Sequence, residues 1–223
     1  MKTIGLPKGQ MSESLLVAVV LALSGGFMDA YTYMCRGEVF ANAQTGNMIL
    51  FGISLAEGKL STALSYLLPV MMFAAGIIIA DVIRRKSSIF SGIHWRQLCV
   101  LIETVILFSA AFVSLELNFL ANGMVSFACG IQVESFRRVR NNSMATTMCI
   151  GNLRSAMHYL CDFGFDSDRE SGKRALLYGG LIAVFVCGAV LGHVCVKLYA
   201  EYAIIASSIM LLIVFLFMFK KEC

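Results

Sequence analysis

The sequence predicts an all-α integral membrane protein with six transmembrane helices and two broken or re-entrant segments, arranged as two inverted halves of three spans each. Three observations lead there. The 223-residue chain is 58% hydrophobic and 14% charged, with a mean hydropathy of +0.78. Soluble domains carry about 25% charged and about 45–50% apolar residues, and a soluble fold of this length cannot hide that much apolar surface. The apolar residues are gathered into long runs. The positive charges, finally, sort to one side of a single topology.

The elements follow in order. Residues 14–35 form a first span. Lys2 and Lys8 ahead of Leu15 resemble the start of a signal peptide, but the apolar run continues past Gly25 and Gly26 and five more follow, so the segment reads as retained. Residues 62–83, 97–117, 120–136, 174–196 and 201–219 supply the other five spans, near the roughly 20 residues a crossing helix needs. Residues 39–57 and 143–161 have spanning length but are more polar, with Asn42, Gln44, Thr45, Asn47 and Ser54 in the first and Thr146, Thr147, Asn152, Arg154, Ser155 and His158 in the second. The segment Asp162–Arg174 is hydrophilic and reads as a cytoplasmic loop.

Charge decides whether the two polar stretches cross. If each enters and leaves on one side, with the N-terminus inside, 15 of the 18 Lys and Arg lie inside and only Arg36, Lys59 and Lys197 outside. If both cross, and Arg84, Arg85 and Lys86 stay cytoplasmic, the division becomes 9 against 8 with Arg154 in the membrane. Basic residues concentrate on the cytoplasmic side. Six spans with both termini in the cytoplasm is therefore the expected topology.

The polar stretches also repeat. Ala43-Gln44-Thr45-Gly46-Asn47-Met48 is echoed by Met148-Cys149-Ile150-Gly151-Asn152-Leu153. Gly26 lies 20 residues before Gly46, and Gly130 lies 21 before Gly151. Gly76-x-x-x-Ala80 is matched by Gly188-x-x-x-Gly192. The repeat divides one membrane domain, residues 1–223, into halves at approximately 14–117 and 120–219. Three spans per half invert the second half relative to the first. Inverted halves with interrupted helices put a transporter's site near the midplane.

Candidate site residues follow from this. A turn at Gly46 leaves residues 47–57 as a half-length helix, capped by Thr45 or Asn47, with free N–H groups aimed at a polar or anionic ligand. Gly151 and Asn152 are the counterpart. Asp29 is an acid inside the first span, which marks it for ion binding or a salt bridge; Gln132 and Glu134 occupy the comparable part of the second half. The expected ligand-binding set is Asp29, Thr45, Gly46, Asn47, Gln132, Glu134, Gly151 and Asn152. Glu103 is a further intramembrane acid, read either as functional or as pairing structurally with a neighbouring Lys or Arg. Arg154 and His158, four residues apart, share a face that lines a pathway or simply faces the cytoplasm. The small residues at 76/80 and 188/192 serve close helix packing.

Other chemistry is absent from the pattern. The eight cysteines form no Cys-x-x-Cys and sit mostly in apolar runs, so they read as structural thiols. No nucleotide loop, catalytic elbow or zinc motif occurs. No enzyme activity, cofactor, metal or nucleic acid is expected. The partners are the lipid bilayer and a small solute or ion, and a homo-oligomer is compatible with the sequence.

At these residues the chain resembles a known family. Gly25-Gly26-Phe27-Met28-Asp29-Ala30-Tyr31 with Val39-Phe40-Ala41-Asn42-Ala43-Gln44-Thr45-Gly46-Asn47 looks like the signature of the YoaK family of bacterial multi-pass membrane proteins. Cys129-Gly130-Ile131-Gln132, Ser135-Phe136-Arg137 and Ala145-Thr146-Thr147-Met148-Cys149 extend the match through residues 12–219. Ile150 departs from it, standing where the family more often has threonine. The family is a domain of unknown function. The resemblance implies a permease-like protein of the bacterial plasma membrane and supplies no substrate. The expected function is a membrane permease or channel for a small solute or ion. The alternative is a non-transporting protein with a sensing, assembly or stress-related role.

Overall fold

The structure, a computed structural model, describes residues 14–87, 93–139, 142–143 and 149–219. Lys2, Lys8, Arg140, Thr146, Thr147, Lys220 and Lys221, used above for topology and repeat, lie outside the described residues. Among those described the chain is helical: α1 Leu15–Cys35, α2 Gln44–Ala56, α3 Leu60–Arg85, α4 Trp95–Ala110, α5 Asn118–Ser135, α6 Cys149–Asp166, α7 Arg169–Tyr199 and α8 Ile205–Phe217. Short 3-10 turns, Leu115–Leu117 and Ala200–Ile204, precede α5 and α8. One exception to the all-α expectation is a two-residue antiparallel ladder, β1 Arg138–Val139 with β2 Asn142–Ser143. Among the described residues three helical stretches are long and apolar enough to cross a membrane: Leu15–Cys35, Leu60–Arg85 and the continuous Arg169–Phe217. The protein is thus a helical membrane protein by the character of its longest elements.

Side-chain bonds fix the direction of each helix. Arg36, just past α1, donates to Asn118 at the start of α5, while Gln132 near the end of α5 donates to the carbonyl of Leu21. These two helices are antiparallel. Leu68 and Met72 lie against Gly123, and Gly76 lies against Gly130; Arg84 then reaches Glu134. So α3 runs parallel to α5 and starts at the Arg36 end of the bundle. Tyr178 packs with Ala18 and Ala22, Gly188 against Leu23, and Gly192 against Phe27. So α7 runs parallel to α1 and starts at the Ser14 end.

The two parallel crossings are built alike. An added Cβ on Gly26 would stand 1.9 Å from the Phe185 carbonyl oxygen, and one on Gly188 2.0 Å from that of Leu23. On the other crossing a Cβ on Gly76 would stand 2.2 Å from the Phe127 oxygen, and one on Gly130 2.1 Å from that of Phe73. The small residues therefore do the packing work expected of them. They bring backbones together with no side chain between.

Between the crossings sits a core of Leu21, Phe27, Met28, Val100, Leu107, Val125, Cys129 and Leu211. It is threaded with polar atoms. Ser24 bonds Ser207 across α1 and α8, and Ser208 Oγ donates to the Thr104 carbonyl of α4 at 2.9 Å. Helix α4 ends at Ala110, well short of the apolar run's end at 117. Arg36 collects the carbonyls there: its guanidinium donates to Ala110 at 3.2 Å and to Val113 at 2.9 Å. These bonds close the helix and start the turn toward α5.

Helix α7 starts five residues before the apolar stretch because Asp168 caps it. Its carboxylate accepts from the backbone of Glu170 and of Ser171, both at 3.1 Å, and from Ser171 Oγ at 2.6 Å. These donors hold the Asp168 carboxyl below its ordinary value, the Ser171 hydroxyl contributing most. A depressed folded value stabilises above the unfolded value, about 3.9 for aspartate, and that stability is lost as pH falls through the folded value. Asp168→Ala is expected to speed amide exchange at Glu170 and Ser171 at neutral pH. The unaltered cap should keep its protection until the medium is more acidic than about pH 3.9. Hydrogen-exchange mass spectrometry across the α6–α7 corner reads both.

Candidate functional site

After α1 the chain reverses at Gly37 and Glu38, both at positive φ (90° and 58°). Residues 39–43 then run back alongside α1. Asn42 is held at two points: its backbone N–H donates to Asp29 Oδ1 at 2.7 Å, and its side-chain amide donates to the Gly25 carbonyl at 3.1 Å. Gly25 is the middle of α1, so the loop has reached mid-depth. The N–H groups of Ala41 and Ala43 also face the Asp29 carboxylate. From there α2 returns to the Arg36 end, where Lys59 leads into α3. Thirteen residues span about 20 Å at 1.5 Å each.

Helix α2 starts at Gln44 and its N-cap, Ala43, makes no side-chain cap. This corrects the expectation of a turn at Gly46 with Thr45 or Asn47 as cap. The reversal is made upstream, and Thr45, Gly46 and Asn47 form the first helical turn. Gly46 leaves room there for the Phe40 ring, which would have to give by a few tenths of an ångström to admit a Cβ 3.1 Å away. Asn47 is fully buried and clamps the loop. Its Oδ1 accepts from the Phe40 N–H at 3.0 Å, and its Nδ2 donates to the Phe40 carbonyl at 2.7 Å and to Gln44 Oε1 at 2.9 Å. Thr45 is exposed.

The second polar stretch also contains a helix. Its described helix, α6, starts at Cys149, close enough to Asp29 to feel its charge. It ends at Asp166 beside the start of α7, at the Ser14 end. It runs five residues beyond the expected 161, and residues 144–148 lie outside the described residues. Asn152 is buried and Gly151 exposed, with open space around its Cα.

The remaining candidates separate. Gln132 is fully buried on α5, with Nε2 on the Leu21 carbonyl at 3.1 Å and Oε1 without a partner. Glu134 is elsewhere, at the Ser14 end, bridging Arg84 at 3.7 Å and Arg137 at 3.3 Å. Asp29 is thus brought to the loop that leads into α2 and near the described start of α6; Glu134 belongs to a basic cluster at the bundle's edge. Glu103 also departs from expectation: it is fully buried and neither carboxylate oxygen has a hydrogen-bond partner.

Beside α6 opens a cleft of about 1580 Å³ between α1, α6 and α7. Gly151, Asn152, Arg154, His158, Lys173 and Arg174 line it, with Glu170 as its acid. Arg174 lies over the Tyr159 ring at 5.5 Å, and Tyr159 stacks on Tyr178. Arg154 and His158 do share the exposed wall. Sequence reasoning missed the clamp at Phe40 and Asn42 and the grip of Arg36. The signal for Arg36 was present: a lone cation ending an apolar run directly before a glycine.

The fold and this site define a helical membrane protein in which α2 and the described part of α6 begin near one buried acid. The family model described as "Protein of unknown function (DUF1275)" matches residues 17–217, and the chain belongs to that family. The UPF0700 transmembrane protein YoaK of Bacillus subtilis (strain 168) is 22% identical over 181 residues, covering 77% of this chain and 79% of that protein. The resemblance carried by the Gly25–Tyr31 and Val39–Asn47 motifs is thereby shown. No solved structure matches.

Proposed function

We propose that the protein is a membrane permease or channel for a small solute or ion, with its site at the midplane between the two Gly-Asn segments. The observation that carries this reading is the loop before α2 reaching Asp29 at mid-length of α1, with the described start of α6 near the same acid. The α2 loop donates to its carboxylate at 2.7 Å, and Cys149, the first residue of α6, lies within reach of its charge. A helix that begins inside a membrane, as α2 does on this reading, needs a covered or wet niche for its free N–H groups, and such an N-terminus favours polar or anionic ligands. The cleft lined by Arg154, Lys173 and Arg174 is the entrance from the basic side.

The duplication and six-span topology belong to the same proposal. Exchanging the halves turns the α1–α7 crossing at Gly26 and Gly188 into the α5–α3 crossing at Gly130 and Gly76, which supports an inverted repeat. Helix α2 leaves from and returns to the Arg36 end, as α6 starts inside and ends at the Ser14 end, so neither adds a crossing. Arg84, Arg85, Arg96, Arg137, Arg169, Lys173 and Arg174 all fall at the Ser14 end. On this reading that end is the cytoplasmic face of a bacterial plasma membrane. One observation favours the non-transporting alternative: the Asn47 amide is wholly engaged in holding its own loop.

Single cysteines in a background without the eight native ones test the reading. A membrane-impermeant thiol reagent is expected to reach Lys59→Cys only from outside and Arg85→Cys only from inside. Ser155→Cys in the cleft should react from the Arg85 side. Labelling of Lys59→Cys and Arg85→Cys from the same side would remove the topology on which the site depends.

A further inference from the structure

Glu103 stands at the middle of α4 with no exposed surface and no partner for either carboxylate oxygen. Among the described residues it forms no ion pair with a Lys or Arg side chain. Glu103 lies within reach of Cys99 on its own helix and of Cys129 on α5, and Cys129 lies in turn within reach of Asp29 on α1. Helix α8 presents Ser207, Ser208 and Leu211, none of them ionisable in this range. The acid of α3, Asp81, is engaged by Arg84 and Arg85, and that of α5, Glu134, by Arg84 and Arg137. Glu201, in the 3-10 turn before α8, stands at the Arg36 end, where its carbonyl accepts from Tyr31.

Ser126, Cys129 and Gln132 stand three residues apart on one buried face of α5. The Cys129 thiol turns to Met28 and the Gln132 amide to the Leu21 carbonyl, and no donor reaches either Glu103 oxygen. A bare carboxylate that no donor reaches is unfavourable in a water-free interior. The protonated acid carries no charge and brings its own O–H donor.

We propose that Glu103 is a proton-binding site within the bundle, held as the neutral acid near Cys129 of α5. The ligand is a proton, exchanged with the medium when the α4–α5 packing opens: the carboxyl O–H bond breaks, the proton passes to water, and the reverse step restores the acid. The site is separate from the Asp29 niche and does not depend on the transport reading.

Infrared spectroscopy of the full chain in phosphatidylcholine–phosphatidylglycerol vesicles tests it. The expected result is a protonated-carboxyl band at about pH 7, where ordinary carboxyls are ionised. The band should shift in heavy water, fade reversibly in alkali, persist in Asp29→Asn and be lost in Glu103→Gln. If Glu103→Gln does not fold, a band shift on isotopic labelling of glutamate, and not of aspartate, makes the same assignment. A missing band, a band that ignores heavy water, or one displaced by sodium at constant pH would each overturn the proposal, the last by making the ligand a metal cation.

Discussion

Gly26→Ala and Gly76→Ala are each expected to prevent the bundle from assembling, while Gly52→Ala leaves it intact. The difference lies in what a methyl group would meet. At Gly26 the new carbon would stand 1.9 Å from the Phe185 oxygen, and at Gly76 2.2 Å from the Phe127 oxygen. Both obstacles are backbone of a neighbouring helix, so no rotamer change relieves them; the helices must separate. Ordinary overpacking costs about 1–3 kcal/mol, and parting two backbones at their closest approach should cost about 3 kcal/mol or more. Gly52 has nothing within 4 Å of its added carbon, and alanine there should gain up to about 1 kcal/mol of helix propensity. Size-exclusion profiles and thermal unfolding of the solubilised variants read the difference. Normal assembly of Gly26→Ala would mean that α1 and α7 are not in backbone contact.

Arg36→Met should be the most damaging change at a charged position. Met keeps much of the apolar stem but removes bonds to Ala110, Val113, Ser114, Asn118 and the Tyr31 hydroxyl. The carbonyls belong to the end of α4 and the turn beyond it, where no intrahelical donor replaces the guanidinium. Each buried acceptor left bare costs about 1–3 kcal/mol, so a total of about 3–5 kcal/mol is expected after relaxation. Arg36→Lys should recover only part, because an ammonium cannot fork to several acceptors. Tyr31→Phe should cost about 1 kcal/mol, removing one bond to the guanidinium and one to the Glu201 carbonyl. Thermal unfolding in detergent ranks the three. A ranking with Tyr31→Phe worse than Arg36→Met would contradict the clasp.

The apolar runs of α1 and α3 were legible in the sequence almost to the residue, because composition alone holds such helices in place. The ends of α4 and α7 were not. Ala110 closes α4 because Arg36, 74 residues away, takes its carbonyl, and Asp168 opens α7 ahead of its apolar part. Asp29 was legible as an acid in an apolar span, and its neighbourhood was not: Asn42 reaches it only after the chain has reversed at Gly37 and Glu38. Gly46 was recognised, but for the wrong purpose. It makes room for the Phe40 ring and lies in the first turn of the helix it was expected to start. Glu103 looked like half of an ion pair because acids in membranes usually find a cation; the packing of α4 on α5 set it near the Cys99 and Cys129 thiols instead.

The account stands or falls on movement of solute past Asp29. Vesicles containing the protein, shrunk by added salts of formate, acetate, nitrate or chloride or by urea or glycerol, should re-swell faster than empty vesicles for at least one of these solutes. Asp29→Asn should slow that recovery by about tenfold, equivalent to about 1.4 kcal/mol at the site, with the protein still folded by its unfolding profile. If no solute in such a panel moves faster with the protein present, or if Asp29→Asn swells as the wild type does, the midplane site is not a transport site.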